Sequence, residues 1–546
     1  MPRMTGGEAL VKSLAREGVR VVFGLPGVQL YGAMAALRDE PGIRFITTRH
    51  EQATSYMADG YARGGGGFGV ALVVPGPGLL NASAGLSTAY AASSPVLMIS
   101  GQVPKASLGR RVGVLHEVDD QLDAIRPVTK WQRRVLEVAD IPRAVRDAVY
   151  QLKSGRPRPV ELELSPDTLE EEAEVELLPL AEAERPLADA ASLDRAAERL
   201  LAASRPVIYA GGGVHASGAH DALRAVAEHL QAAVIQTPEG KGALGDRHPL
   251  SLGAALWTAS PVRPYLDAAD VVLAVGTRLA VAALKPAQQV IQIDADPDEA
   301  GRNHAKTVRL VGDGRSSLEG LLARLRAGAG PRASRTAELD AVRAAVARVA
   351  AEAEPPAAIL RSLRAGTPED AVLVPDMTQV GYHTRPFWPV YHPRTYLTSS
   401  YSGNLGYAFP TALGAKVARP DLPVVAVCGD GGFLYNAQEL ATAVQHGINV
   451  VTVVFNDQAY GNVARDLDEV WGGSIGAELQ NPDFMKLADA YGVLGLRTKE
   501  PTEVGDLVRE AVLADRPVLI EVPVGRMPRP PFFSDRRAPA KYQQRR

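Results

Sequence analysis

The sequence predicts an α/β protein of three doubly wound parallel-sheet domains. Three observations carry this. At 546 residues the chain is too long for one hydrophobic core. Short apolar runs alternate with amphipathic segments along nearly its whole length, as strands buried on both faces alternate with crossover helices. Two of these runs, Val424–Cys428 and Val450–Phe455, break at Gly429-Asp430-Gly431-Gly432 and at Asn456-Asp457. Small acidic or amide residues at strand ends mark where open α/β sheets bind ligands.

Taken in order, the first block predicts a helix over Glu8–Glu17, a strand over Val19–Phe23 closed by Gly24-Leu25-Pro26-Gly27, and a strand over Ile43–Thr47. A helix over Gln52–Ala62, a strand over Gly69–Val74 and a turn at Gly76-Pro77-Gly78 follow. Leu86–Ala91 reads as a helix and Val96–Ser100 as a strand. Ser165–Ser192, acidic and proline-bearing, reads as a linker. The middle block offers strands at Val207–Gly211, Ala233–Gln236, Val271–Val275 and Val290–Asp294. Gly211-Gly212-Gly213 could approach a phosphate, but no G-x-G-x-x-G accompanies it. Arg326–Pro356 reads as a helical linker. The third block predicts strands at Ala371–Pro375, Tyr396–Ser399, Val424–Cys428, Val450–Phe455 and Val518–Val522. The Pro- and Arg-rich tail from Arg526 onward is expected to be mobile or draped over a surface.

Composition excludes several classes of function. The net charge is −3 and no long basic stretch offers a nucleic-acid footprint. The single cysteine, Cys428, lies inside a predicted strand, which leaves no intrachain disulfide or cysteine metal cluster and fits a reducing cytoplasm. Met1–Arg20 has no apolar signal region, and no apolar run approaches the roughly 18 residues of a membrane span, so no membrane association is expected.

The stretch Val424–Val463 carries the chemistry. Two parallel strands joined by a helical segment would bring Asp430 and Asp457 together beside bare glycine amides. Hard oxygen ligands next to N–H groups suit a divalent cation carrying a diphosphate. Taken alone, Asp457 could equally be a strand-end turn residue, and Glu51 could merely cap or solvate the helix that begins there.

These motifs occur in a fixed order: Phe23-Gly24-Leu25-Pro26-Gly27, Arg49-His50-Glu51-Gln52, Gly76-Pro77-Gly78 with Asn81, Gly101-Gln102-Val103-Pro104, Gly406–Gly414, Gly429-Asp430-Gly431 and Asn456-Asp457. In this order the chain resembles the thiamine-diphosphate-dependent enzymes, most closely the acetolactate synthase, pyruvate oxidase and benzoylformate decarboxylase group. The resemblance implies a pyrimidine-binding domain over 1–170, a middle domain over 190–330 similar to FAD- or ADP-binding domains, and a diphosphate- and Mg2+-binding domain over 355–530. A tail, 531–546, follows. It assigns Glu51 to the pyrimidine N1′, where a charge-assisted hydrogen bond favours the imino tautomer whose 4′ nitrogen removes the thiazolium C2 proton. Such a glutamate is expected to be buried. Asp430, Asp457 and the carbonyl of Ala459 match the metal ligands. Asp457 stands where the family usually has asparagine, and magnesium accepts either oxygen. Leu405 would wedge between the cofactor rings, with Gly403 accepting from the 4′ amino group and Gln379 binding the diphosphate. Pro26, Gly76, Asn81, Gly429, Gly431, Gly432, Tyr460 and Gly461 would line the cofactor. Arg278, Asp294, Asp296 and Asp313 fall where family members contact a nucleotide.

Two departures from acetolactate synthases bear on substrate. Leu115-His116-Glu117 replaces Phe-Gln-Glu, and His116 could protonate the enamine, the step that releases an aldehyde; it could also be a solvent-exposed loop histidine. Asn462-Val463-Ala464-Arg465-Asp466 stands where methionine and tryptophan shape the acceptor pocket. The expected activity is acetolactate-synthase-like carboligation of a 2-oxo acid. Non-oxidative 2-oxo acid decarboxylation and 2-hydroxyacyl-CoA lysis are the alternatives, and a non-catalytic regulatory homologue is a remote one. The resemblance also implies a homodimer with shared sites, paired into a homotetramer.

Overall fold

The computed structural model describes residues 1–533. Three open parallel sheets, each flanked by helices, follow one another along the chain. The first has six strands in the spatial order Arg44–Thr47, Val21–Gly24, Gly69–Val73, Val96–Gly101, Val160–Leu164, Trp131–Val135. The middle sheet has five, ordered Ala233–Gln236, Pro206–Ala210, Val271–Val275, Gln289–Asp294, Thr307–Val311. The third also has five, ordered Val372–Pro375, Val424–Gly429, Val451–Asn456, Val518–Pro523, Leu494–Arg497.

The register of the third sheet positions the chemistry. Val427 lies opposite Val453 and Gly429 opposite Phe455, so these neighbouring strands end level and deliver Asp430 and Asp457 to one edge. Both strands are rich in β-branched residues and buried in all but their last residue, as a sheet covered on two faces requires.

The middle sheet packs its own core, whereas the first and third share one. A single buried cluster runs from Phe23, Met57, Leu86 and Met98 to Leu413, Phe433 and Phe484. Helices Glu51–Tyr61 and Ala408–Ala418 meet at its centre through reciprocal glycines. A Cβ on Gly60 would lie 2.0 Å from the Thr411 carbonyl oxygen, and one on Gly414 would lie 2.0 Å from that of Met57. Only glycine permits this approach.

Several expectations need correction. Gly76-Pro77-Gly78 is less a turn than the start of a long helix, Pro77–Ala92. Proline takes the first helical position, where its missing N–H is no loss, and Gly76 supplies φ +57°. The helix is therefore longer than Leu86–Ala91. Ser165–Ser192 is not a plain linker: it holds a Ser165-capped helix, Pro166–Glu170, and a short strand, Glu172–Glu174, antiparallel to Arg3–Thr5. Tyr396–Ser399 makes only one bridge, Tyr396 to Leu373, because Ser400 at φ +54° turns the chain out of the sheet. Strands Trp131–Val135, Val160–Leu164, Thr307–Val311 and Leu494–Arg497 were not expected. Within the tail, Arg526–Phe533 is draped, with Met527 buried; the expectation for 534–546 lies outside the described residues. No helix among the described residues is long and apolar enough to cross a membrane.

Candidate active site

Two groups of predicted residues gather at two sheet edges. At the third sheet, Asp430 opens a short helical turn and is buried, with Asp457 beside it. Burial, and then the charge of Asp430, push the Asp457 carboxyl well above the usual carboxylate range. Two carboxylates held this close share either a proton or a cation. Among the described residues no third His, Cys, Asp or Glu joins them, so a cation held there would take any further side-chain or backbone ligand from amide or carbonyl oxygens. Asn481 offers one. Its Nδ2 donates to Asp430 Oδ2 at 2.6 Å and to Asn456 Oδ1 at 2.9 Å, while its buried Oδ1 has no hydrogen-bond partner. A buried orphan acceptor beside two acids fits a hard divalent ion.

The loop carrying Asp457 is held by a two-rung antiparallel pairing. Tyr460 N donates to Ala477 O at 2.8 Å and Leu479 N to Gln458 O at 2.8 Å, with Ala459 opposite Glu478. The glycines have separate jobs. A Cβ on Gly431 would strike the Tyr460 ring at 2.6 Å, one on Gly429 the Thr378 hydroxyl at 2.9 Å, and one on Gly432 the Asp376 carboxylate at 3.1 Å. Gly461 is the tightest, 2.0 Å from Asp457 Oδ2 and 2.6 Å from Gln379 Nε2. Alanine at 461 is therefore expected to displace Asp457 and weaken magnesium binding by about 10- to 100-fold, as measured by calorimetric titration.

The Ser402–Gly406 loop bridges to the first domain. Asn404 donates to Tyr56 Oη at 3.1 Å and to Ala84 O at 3.3 Å, while Gly406 N donates to Asp376 Oδ2 at 3.0 Å and Asn436 Nδ2 to Gly406 O at 2.7 Å. Leu405, half-buried, is thus fixed from both sides, with Gly403 at φ +65° and Gly406 at φ +77° making the bend.

At the first sheet's edge, Glu51 is the first residue of its helix. It is not the cap: His50 fills that position, its Nδ1 accepting from Gln52 N at 3.2 Å. The Glu51 carboxylate instead accepts from Asn81 Nδ2 at 3.0 Å. The expected burial is not met within one chain, since Glu51, at the start of its helix, is half-buried and Asn81, in the second turn of helix Pro77–Ala92, is exposed. His116, at φ +67°, faces Gln29 Oε1 through Nδ1 at 3.2 Å, and its carbonyl oxygen lies 2.3 Å from where a Gly76 Cβ would stand. It is half-buried, not a free loop histidine. Gly76 N donates to Gln121 Oε1 at 3.1 Å. Pro26 is exposed on the neighbouring strand-end loop. Among the described residues no hydrogen bond or ion pair joins Glu51, Asn81 or His116 to Asp430 or Asp457, although Gln52 Nε2 donates to Tyr435 O and to Asn436 Oδ1, both at 3.0 Å.

Three family models cover the chain: the thiamine pyrophosphate enzyme N-terminal TPP-binding domain over residues 4–124, the central domain over 193–321 and the C-terminal TPP-binding domain over 376–522. The chain belongs to the thiamine pyrophosphate enzyme family. Among this family's curated members it is similar to "Probable 2-ketoarginine decarboxylase AruI" of Pseudomonas aeruginosa, 38% identical over 93% of this chain and 91% of that protein. It is also similar to the acetolactate synthase isozyme 3 large subunit of Escherichia coli, 32% identical over 96% and 95%. The "Probable acetolactate synthase large subunit" of Methanocaldococcus jannaschii is 34% identical over 95% and 92%. The chain is thus a thiamine-pyrophosphate-dependent enzyme of the acetolactate-synthase-like group.

Sequence reasoning missed two residues of this TPP-enzyme site. Asn481 has no local signature; only the fold brings it to Asp430. Asp376 did carry a signal, following the apolar run Val372–Pro375 as Asp430 follows Val424–Gly429. It is buried, accepts from Met377 N and Gly406 N, and burial pushes its carboxyl up to about 7. The folded protein therefore keeps a proton that the unfolded chain releases. That contribution to stability is complete below the unfolded value and is lost as pH rises through about 7. Asp376→Asn, which cannot titrate, is expected to gain several degrees in unfolding midpoint relative to wild type between about pH 4 and about pH 8 by scanning calorimetry.

The residues expected at a middle-domain nucleotide are engaged internally. The Arg278 guanidinium lies 4.2 Å over the Tyr401 ring, and Asp294 accepts from Asp296 N at 3.0 Å. Asp296 accepts from Asp298 N at 3.0 Å, and Asp313 caps helix Gly314–Gly328 through Ser316 N at 3.0 Å.

Proposed function

We propose that the chain is a magnesium- and thiamine-diphosphate-dependent enzyme that cleaves a 2-oxo acid and joins the retained fragment to a second carbonyl. The observation that carries this is Asp430 paired with Asp457 beside the unbonded Asn481 oxygen. Thiamine diphosphate, when bound, supplies a nucleophilic thiazolium carbon and an electron sink. Asp430, Asp457, the Ala459 carbonyl and the Asn481 amide oxygen would hold magnesium and through it the diphosphate. Glu51, oriented by Asn81, would hold a proton at the pyrimidine N1′. Leu405 would keep the two rings bent toward each other.

A second reading is non-oxidative decarboxylation to an aldehyde. His116 favours it: Gln29 engages Nδ1, which leaves Nε2 to move a proton. The relative named for 2-ketoarginine supports it. Pyruvate and a panel of 2-oxo acids, one with a guanidinium side chain, separate the two. A ligated product without free aldehyde supports the first, and aldehyde with carbon dioxide the second. If neither 2-oxo acids nor acyl-CoA esters turn over, both are overturned.

The Glu51 and Asp430 groups are proposed to meet across a homodimer, paired into a tetramer and acting in the cytoplasm. Mixing inactive Glu51→Gln and Asp430→Ala chains under exchange should restore activity. No restoration would mean that each chain completes its own site.

A further inference from the structure

Beyond the last strand the chain returns over the helix that follows the metal loop. Val524 N donates to Asn456 O at 2.9 Å, which anchors the start of the return. Arg526 pairs with Asp468 at 2.7 Å and Arg529 with Asp466 at 2.9 Å, both acids lying just past Gly461. Arg465, almost wholly buried, reaches the carbonyl oxygens of Met527 at 3.5 Å and Pro528 at 3.4 Å. The Phe532 ring packs at 5.8 Å from His383 and 6.1 Å from Trp257, and the Phe533 ring at 4.9 Å from Tyr382. Between these anchors the buried Met527 donates its backbone N–H to Gln379 Oε1 at 2.9 Å.

That bond has a directional consequence. A backbone N–H can only donate, so the Gln379 side-chain amide must turn its oxygen to Met527 and its NH2 to the other side. On that side Gln379 Nε2 donates to Asp457 Oδ2 at 2.5 Å. Without Met527 the amide is free to rotate, and its flipped form would set an oxygen against a carboxylate. Gly461 leaves the space this contact needs.

We propose that Met527 is a positioning residue for Asp457: the strap Arg526–Arg529 holds its N–H against Gln379, and Gln379 in turn aims the carboxylate at the metal. This rests on the reading of Asp457 as a magnesium ligand. The role belongs to a backbone group, so the side chain at 527 is replaceable and only proline removes the donor.

The test is a magnesium titration of the full-length protein at saturating thiamine diphosphate, read by calorimetry and tryptophan fluorescence. Met527→Pro is expected to raise the magnesium Kd about tenfold, whereas Met527→Leu leaves it unchanged. In a Gln379→Met background Met527→Pro should have no further effect, because the link it acts through is already gone. Arg526→Ala, a milder change at an exposed anchor, is expected to loosen magnesium about twofold to threefold by the same route, and to do nothing further in the Gln379→Met background. Unchanged affinity in both Met527→Pro and Arg526→Ala, or additive effects with Gln379→Met, would overturn the proposal. Asp457→Ala separates this from its premise: if that variant binds magnesium normally, Asp457 is no ligand and the premise is what fails.

Discussion

Replacing Glu51 by glutamine is expected to leave thiamine diphosphate bound while slowing exchange of its C2 proton by at least about a hundredfold. The structure makes this substitution selective. His50 caps the helix, so its start does not depend on the Glu51 charge. The amide oxygen of glutamine can still accept from Asn81, as Glu51 Oε2 does at 3.0 Å. What is lost is the strong acceptor that holds a proton at the pyrimidine. Calorimetry reports binding and proton NMR in deuterium oxide reports exchange. Wild-type exchange in this variant would remove the role given to Glu51.

Asp430→Ala is expected to weaken magnesium binding by more than about a hundredfold in the presence of thiamine diphosphate. The deletion removes a buried carboxylate and also strands the Asn481 amide hydrogen that it accepts. Asp457→Asn should lose less, about tenfold, because an amide oxygen is also a hard ligand and the repulsion with Asp430 disappears, while a single oxygen replaces the two that serve the metal and Gln379 Nε2. The contrast between the two is read in one magnesium titration series. Equal losses would mean that both carboxylate charges are needed; no loss at Asp430 would put the metal elsewhere.

The parts of this fold legible in the sequence were those governed by local pattern. Ala233–Gln236 and Val271–Val275 are strands with the expected limits, and the Val424 and Val451 strands end beside each other as two apolar runs with acidic ends suggest. Val160–Leu164 was not legible, because Glu161 and Glu163 make it look half-exposed. Both are buried: Glu161 accepts from Ser100 at 2.6 Å and Glu163 from Gln102 at 2.7 Å. Burial also pushes the Glu161 carboxyl well above the usual carboxylate range. Such compensation comes from residues about sixty positions away and leaves no local trace. The same holds at the site. Glu51, Asp430 and Asp457 stand in ordered motifs, whereas Asn481 and the Met527–Gln379 contact exist only once the third sheet has closed.

The cluster that runs unbroken from Phe23 to Phe484 bears on how the polypeptide can be divided. Sheets suggest three modules, but the seam between first and third is filled with side chains that neither could keep dry alone. With Gly60 and Gly414 set into the opposing backbone, those two sheets form one cooperative body interrupted by the middle one. A protease would find its openings at the flanks of the middle sheet. An isolated first or third piece would expose a broad oily face.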